Sequence, residues 1–362
     1  MDEKQVYYAD YLELDTLLNC QHPLSGKHGT KPAHDETLFI IIHQTYELWF
    51  KQILHELDSV IEIFSREPIE EQEVGIAVSR MRRVHEIQKI LVDQISVLET
   101  MTPLDFLDFR DELFPASGFQ SFQFRLLENR LGLDPDLRHR YNNAKYHAYL
   151  SEEHKQRMIE SESQPSLLDL VNRWLERTPF LDMSGYNFWD AYKQAVNAML
   201  DRDRQHVIDN PHLSEKEKAA ELDQLEGTRS SFFYLFDKKL YDELVEKKEK
   251  RLSHTATQAA LLILMYRDEP ILRQPYMALE CFMTIDKYFT MWRYRHVEMV
   301  HRMLGTKIGT GGSSGHDYLK TTAASHKVFT DLFDLSTYLI PRSELPALPA
   351  EIKKRLGFTH GS

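Results

Sequence analysis

Two histidines stand among apolar side chains at helical spacing, each in the surroundings of a buried ligand or a satisfied core residue. His296 lies in Trp292-Arg293-Tyr294-Arg295-His296-Val297-Glu298-Met299-Val300-His301-Arg302-Met303-Leu304. Wound as a helix, Phe289, Trp292, His296, Met299, Val300 and Met303 share one face. His43 stands likewise on a stripe with Phe39, Ile40, Tyr46 and Phe50. An imidazole so placed is either hydrogen-bonded within the core or poised as an axial ligand to a haem iron, and two on different helices favour a site. Shortly after His296, residues 309–315 read Gly-Thr-Gly-Gly-Ser-Ser-Gly. They lack the lysine of a P-loop and the third glycine of the dinucleotide pattern, and no predicted strand precedes them. A loop that brings backbone amides close to a polar ligand, or a surface turn, are the readings left.

Arg110 lies in Phe106-Leu107-Asp108-Phe109-Arg110-Asp111-Glu112-Leu113-Phe114. A guanidinium among phenyl rings suits a bidentate grip on a carboxylate, because its planar fork matches two oxygens. A salt bridge to Asp108, Asp111 or Glu112 is the structural alternative. Glu298 and His301 have the spacing of a di-iron half-site, yet that site needs a second Glu-x-x-His on a facing helix, and the sequence holds no other.

Helical periodicity dominates the elements that must position these residues. One helix is expected from about residue 35 to 66, where Glu67-Pro68 stops it, and a second from about 71 to 100, ended by Thr102-Pro103. Residues 103–120 tighten into short turns. Charge becomes dense over 132–254, where residues 214–225 have little to bury. Apolar helices resume at about 255–266 and 277–304. The expected organisation is all-α: a helical bundle core from 1–131 and 255–342, an inserted, smaller helical subdomain at 132–254, and a tail at 343–362.

The 362 residues, 42% of them hydrophobic, suffice for a substantial core, and the net charge of −12 argues against a surface that tracks phosphates. Two cysteines exclude a disulfide framework, Cys-x-x-Cys zinc sites and covalent haem attachment through Cys-x-x-Cys-His. The N-terminus lacks an apolar leader and the longest apolar run, 259–266, is too short to span a bilayer, so a cytoplasmic protein is expected.

Taken together, the segments around Tyr7-Tyr8-Ala9-Asp10-Tyr11-Leu12, His34-Asp35-Glu36 through Trp49, Phe109-Arg110, Pro115-Ala116-Ser117-Gly118-Phe119-Gln120-Ser121, Trp292-Arg293-Tyr294-Arg295-His296 and the 309–315 loop resemble the tryptophan 2,3-dioxygenase family. Further similarity at Trp174-Leu175-Glu176-Arg177-Thr178-Pro179 and over 335–342 extends the resemblance across nearly the whole chain, nearer to the animal type than to the shorter bacterial type. The resemblance implies one non-covalent b-type haem per subunit, ferrous in the active form, enclosed by the bundle and held by His296. It places the distal histidine at His43, accepting a hydrogen bond from the substrate indole N–H. Arg110 would clamp the substrate carboxylate, Thr310 would contact the amino acid's polar end, Phe39 would pack on the indole and Ser117 would lie near a haem propionate. The family's homotetramer, in which the N-terminal segment completes a neighbour's pocket, would give Tyr8, Tyr11 and Leu12 to the adjacent site. Phe106 departs from the tyrosine of some bacterial members, so no phenolic hydrogen bond is expected there.

The implied reaction inserts both atoms of O2 across the indole C2=C3 bond of L-tryptophan to give N-formyl-L-kynurenine, the first step of tryptophan degradation by the kynurenine pathway. Two other classes compete: a haem-binding sensor or carrier without turnover, and a metal-free helical interaction protein.

Overall fold

Long runs free of proline, rich in leucine, isoleucine and glutamate, give helices whose apolar stripes must find partners. The computed structural model describes residues 5–26, 31–134, 150–179, 181–183, 186–305, 307, 319–320, 323 and 326–357. Single turns α1 (Tyr8–Tyr11) and α2 (Leu14–Leu17) lead into α3 (His34–Phe64), which buries Ile42, Tyr46, Phe50, Ile53 and Leu57 at intervals of three or four. Glu36, in its first turn and 1% exposed, accepts the backbone N–H of Leu24 at 2.6 Å and of Ser25 at 2.9 Å, which ties the preceding loop to the helix.

Helix α4 (Glu71–Leu98) buries Met81, Val84, Leu91 and Ile95. The Tyr46 hydroxyl donates to the Leu91 carbonyl at 2.9 Å and joins α3 to α4. Where the sequence suggested only short turns, α5 runs from Pro103 to Arg110. Thr102-Pro103 is therefore not merely a stop. Thr102 caps the new helix, Asp105 returns the bond to the Thr102 N–H at 3.0 Å, and Pro103 takes the first helical position, where its missing N–H costs nothing. Two 3-10 turns, Asp111–Leu113 and Gly118–Gln120, follow, and then α6 (Phe122–Leu131) begins at a Ser121 cap and ends at Gly132 with φ 104°, a left-handed value that glycine reaches without strain.

Beyond these lie α7 (Glu152–Glu162), α8 (Leu167–Glu176), a two-residue antiparallel pairing of β1 (Asp182–Met183) with β2 (Tyr186–Asn187), α9 (Phe188–Asp209), α10 (Glu215–Phe236), α11 (Lys238–Glu246), α12 (His254–Met265) and α13 (Arg273–Leu304). The charged stretch at 214–225 is no linker: a Ser214–Glu217 capping box starts the 22-residue α10, and its glutamates, lysines and alanines are strong helix formers that pack along α9. The protein is all-α.

Compactness divides the chain into two units. One comprises Met1–Asp58, Arg83–Gln164 and Ile285–Lys327, the other Ser59–Arg82, Pro165–Thr284 and Val328–Ser362. The borders thus cross α3, α4 and α13, and residues 132–254 contribute to both units. Long helices bury different stripes along their lengths, which composition alone does not reveal. In the first unit, Phe122, Leu150 and Met158 form a small cluster between α6 and α7. In the second, α8 packs on α12, and Tyr192 of α9 is fully buried. No described helix is long and apolar enough to cross a membrane.

Candidate functional site

The first unit holds a cavity of about 320 Å3, in the size range of small-molecule and cofactor sites. Helix α3 brings Phe39 and His43 to its wall, α5 brings Phe106 and Arg110, and the segment before α6 brings Ser117. Helix α13 adds Trp292, His296, Met299, Val300 and Met303, nearly the whole face that its periodicity marks out.

The two imidazoles differ in how they are held. His43 Nδ1 lies 2.7 Å from the Phe39 carbonyl oxygen. A carbonyl only accepts, so Nδ1 carries the hydrogen, and in the neutral ring Nε2 is left with a lone pair. Burial lowers the His43 pKa from its ordinary 6.5, against the opposing pull of the Phe39 carbonyl and Glu47, which favours that neutral form. The ring also packs on Phe39, at 4.1 Å between centroids. His296 is pushed down to about 4, first by burial and then by the charge of His43. Its ring lies parallel to the Trp292 indole, 5.4 Å between centroids and 1° between planes. Trp292 is itself set edge-on against Tyr46 and Phe50.

Phe39, Phe106 and Phe109 form an aromatic trio, with centroids 5.4–5.7 Å apart. Arg110 reaches the cavity from the end of α5, while Asp108, Asp111 and Glu112 are exposed. Glu47, also on the wall, accepts from Ser121 Oγ at 2.6 Å and from Gln123 Nε2 at 2.8 Å, so α3 is fastened to the start of α6.

Five residues singled out from the sequence, His296, His43, Phe39, Arg110 and Ser117, therefore meet on one cavity. Tyr8, Tyr11 and Leu12 do not line it; they are 71%, 75% and 39% exposed. Thr310 and the 309–315 loop lie outside the described residues. Glu298 and His301 are exposed, and the described residues contain no group of three metal-ligating side chains, so the di-iron reading has no geometry behind it.

Sequence reasoning missed a buried polar cluster on the same wall. Glu128 receives hydrogen bonds from Arg125, Arg293 and His326. Arg125 and Glu128 stand three apart on α6, a spacing that puts opposite charges on one helical face and was the available signal.

A family model described as tryptophan 2,3-dioxygenase matches residues 1–339. A tryptophan 2,3-dioxygenase of Bdellovibrio bacteriovorus is 53% identical over 353 residues, covering 98% of both chains. One from Dictyostelium discoideum is 51% identical over 98% of this chain and 89% of its own. One from Anopheles gambiae is 47% identical over 99% and 92%. Relatives of comparable length thus come from a bacterium as well as from an insect. A match over almost the entire length, on a helical chain whose marked histidines and arginine converge on one cavity, establishes that this chain belongs to the tryptophan 2,3-dioxygenase family.

Proposed function

We propose that the chain inserts both atoms of O2 across the indole C2=C3 bond of L-tryptophan, giving N-formyl-L-kynurenine, with one b-type haem seated in this cavity on His296. The observation that carries the reading is the convergence of two imidazoles, His43 and His296, with Phe39 and Arg110 on one aromatic-lined cavity.

The residues fit the cofactor. An imidazole held unprotonated among Trp292, Met299, Val300 and Met303 offers iron a nitrogen lone pair, and the apolar walls suit a flat macrocycle. When bound, the haem supplies the dioxygen activation that a closed-shell indole cannot provide for itself. Everything else is positioning. Arg110 holds the substrate carboxylate through its planar fork, Phe39 stacks on the indole, and His43 Nε2 accepts the indole N–H because Nδ1–H is already donated to Phe39. Aromatic walls exclude water and hold the ring in one orientation. The family resemblance would give Ser117 a haem propionate and Thr310, outside the described residues, the amino acid's polar end.

Exposed Tyr8, Tyr11 and Leu12 are consistent with an N-terminal segment that completes a neighbour's pocket in a homotetramer. The enzyme would work in the cytoplasm. A sensor or carrier needs no convergence of Arg110 on the histidine-lined cavity, and absorption spectra of the reduced protein with and without tryptophan and carbon monoxide separate the two. Tryptophan must perturb the haem bands of the enzyme; bands indifferent to tryptophan would sink the catalytic reading.

His43→Ala is expected to lower kcat about tenfold without abolishing it, the worth of one orienting hydrogen bond. Protonation of His43 removes its acceptor nitrogen, and burial places that event below pH 6.5. Wild-type turnover therefore declines only on the acid side of that value, and the variant lacks this limb. A pH profile of kcat/KM for both proteins checks it, and identical acid limbs would remove His43 from the role.

A further inference from the structure

Glu128 lies on α6, is 3% exposed and lines the cavity. Its Oε2 accepts from Arg125 Nη1 at 3.0 Å, and its Oε1 from Arg293 Nη2 at 3.1 Å and from His326 Nδ1 at 3.2 Å. A carboxylate only accepts, so the His326 hydrogen sits on Nδ1. Arg293 also donates through Nη1 to the His326 carbonyl at 2.9 Å. One carboxylate thereby joins α6 to two chain segments 165 and 198 residues away.

The line from this carboxylate to His296 is short. Phe124, one turn before Glu128 on α6, packs against Trp292 at 5.1 Å, and the Arg293 guanidinium lies over the Phe124 ring at 5.7 Å. Trp292 and Arg293 are neighbours on α13, one turn before His296, and the Trp292 indole lies flat against the His296 ring. Two adjacent contacts of α6 thus grip the turn of α13 that presents the imidazole.

We propose that Glu128 is a positioning residue for the reaction: by holding Arg293 and His326 it fixes the turn of α13 that sets the plane of the His296 ring. The proposal rests on the reading that His296 bonds the haem iron. Charge is what the position requires. An amide keeps the size of the side chain but turns N–H groups toward cationic donors and leaves a buried arginine without its counter-charge. Aspartate keeps the charge and shortens the reach.

The test uses haem-loaded protein in the ferrous state, with two readouts besides activity: the iron–imidazole stretching band by resonance Raman, and the rate of haem transfer to excess apomyoglobin. Glu128→Gln is expected to shift the band and to speed haem loss roughly tenfold, as follows from the loss of a hydrogen bond to a charged group. Glu128→Asp should restore part of both at an unchanged melting temperature. Should Glu128→Gln fail to fold, His326→Gln, which removes one arm of the cluster, is measured in the same way and should likewise shift the band and speed haem loss. A band and a transfer rate equal to wild type in the folded variants would overturn the proposal. His296→Ala separates this from the underlying reading: a band that survives that substitution sinks the ligation itself, whereas a band lost there but unmoved in Glu128→Gln sinks the role of Glu128 alone.

Discussion

His296→Ala will yield folded protein that takes up no stoichiometric haem and makes no N-formyl-L-kynurenine. The fold should survive, because alanine is the strongest helix former and position 296 faces the cavity rather than a packed interface. On the proposed reading the haem iron loses the imidazole that His296 offers it. Two other described imidazoles line the cavity, but His43 Nδ1 is held by the Phe39 carbonyl and His326 Nδ1 by Glu128, so each ring is fixed in its own place on the wall. Haem per chain, measured after extraction into alkaline pyridine, and product absorbance check the two halves. Full pigment with normal output would end the assignment.

Arg110→Lys comes next in size. Lysine retains the charge but offers a point donor where the carboxylate meets a fork, so one charge-assisted bond and the fixed approach angle are lost. Such a bond among aromatic rings accounts for a rise in KM for tryptophan of roughly ten- to a hundredfold. Haem content should not change, because Arg110 belongs to α5 and the proposed ligand, His296, to α13. Steady-state kinetics at saturating oxygen measure it, and an unaltered KM would detach Arg110 from the substrate.

Periodicity made the main helices and the two histidine stripes legible. The helix expected from about 35 to 66 runs from His34 to Phe64, and the face deduced for 289–303 is the one that lines the cavity. Local patterns read less well where one motif has two meanings. Thr102-Pro103 ends one helix and caps the next, and only the Asp105 reply to Thr102 distinguishes the cases. The charged run at 214–225 has little to bury, as its composition says, and its helix is anchored at the far end by Phe232 and Leu235, both buried. Glu128 was missed for another reason. Only Arg125 is near it in sequence, while Arg293 and His326 are remote, and a glutamate declares itself buried only when the cations that neutralise it are known.

The parallel seat of Trp292 on His296 also gives the molecule an optical gauge. With haem on His296 as proposed, the indole stacked on that imidazole would pass its excitation to a strongly absorbing macrocycle instead of emitting. With Trp49, Trp174 and Trp189 changed to phenylalanine, the remaining fluorescence would dim as the cavity fills, so that loading could be followed in real time without any added dye.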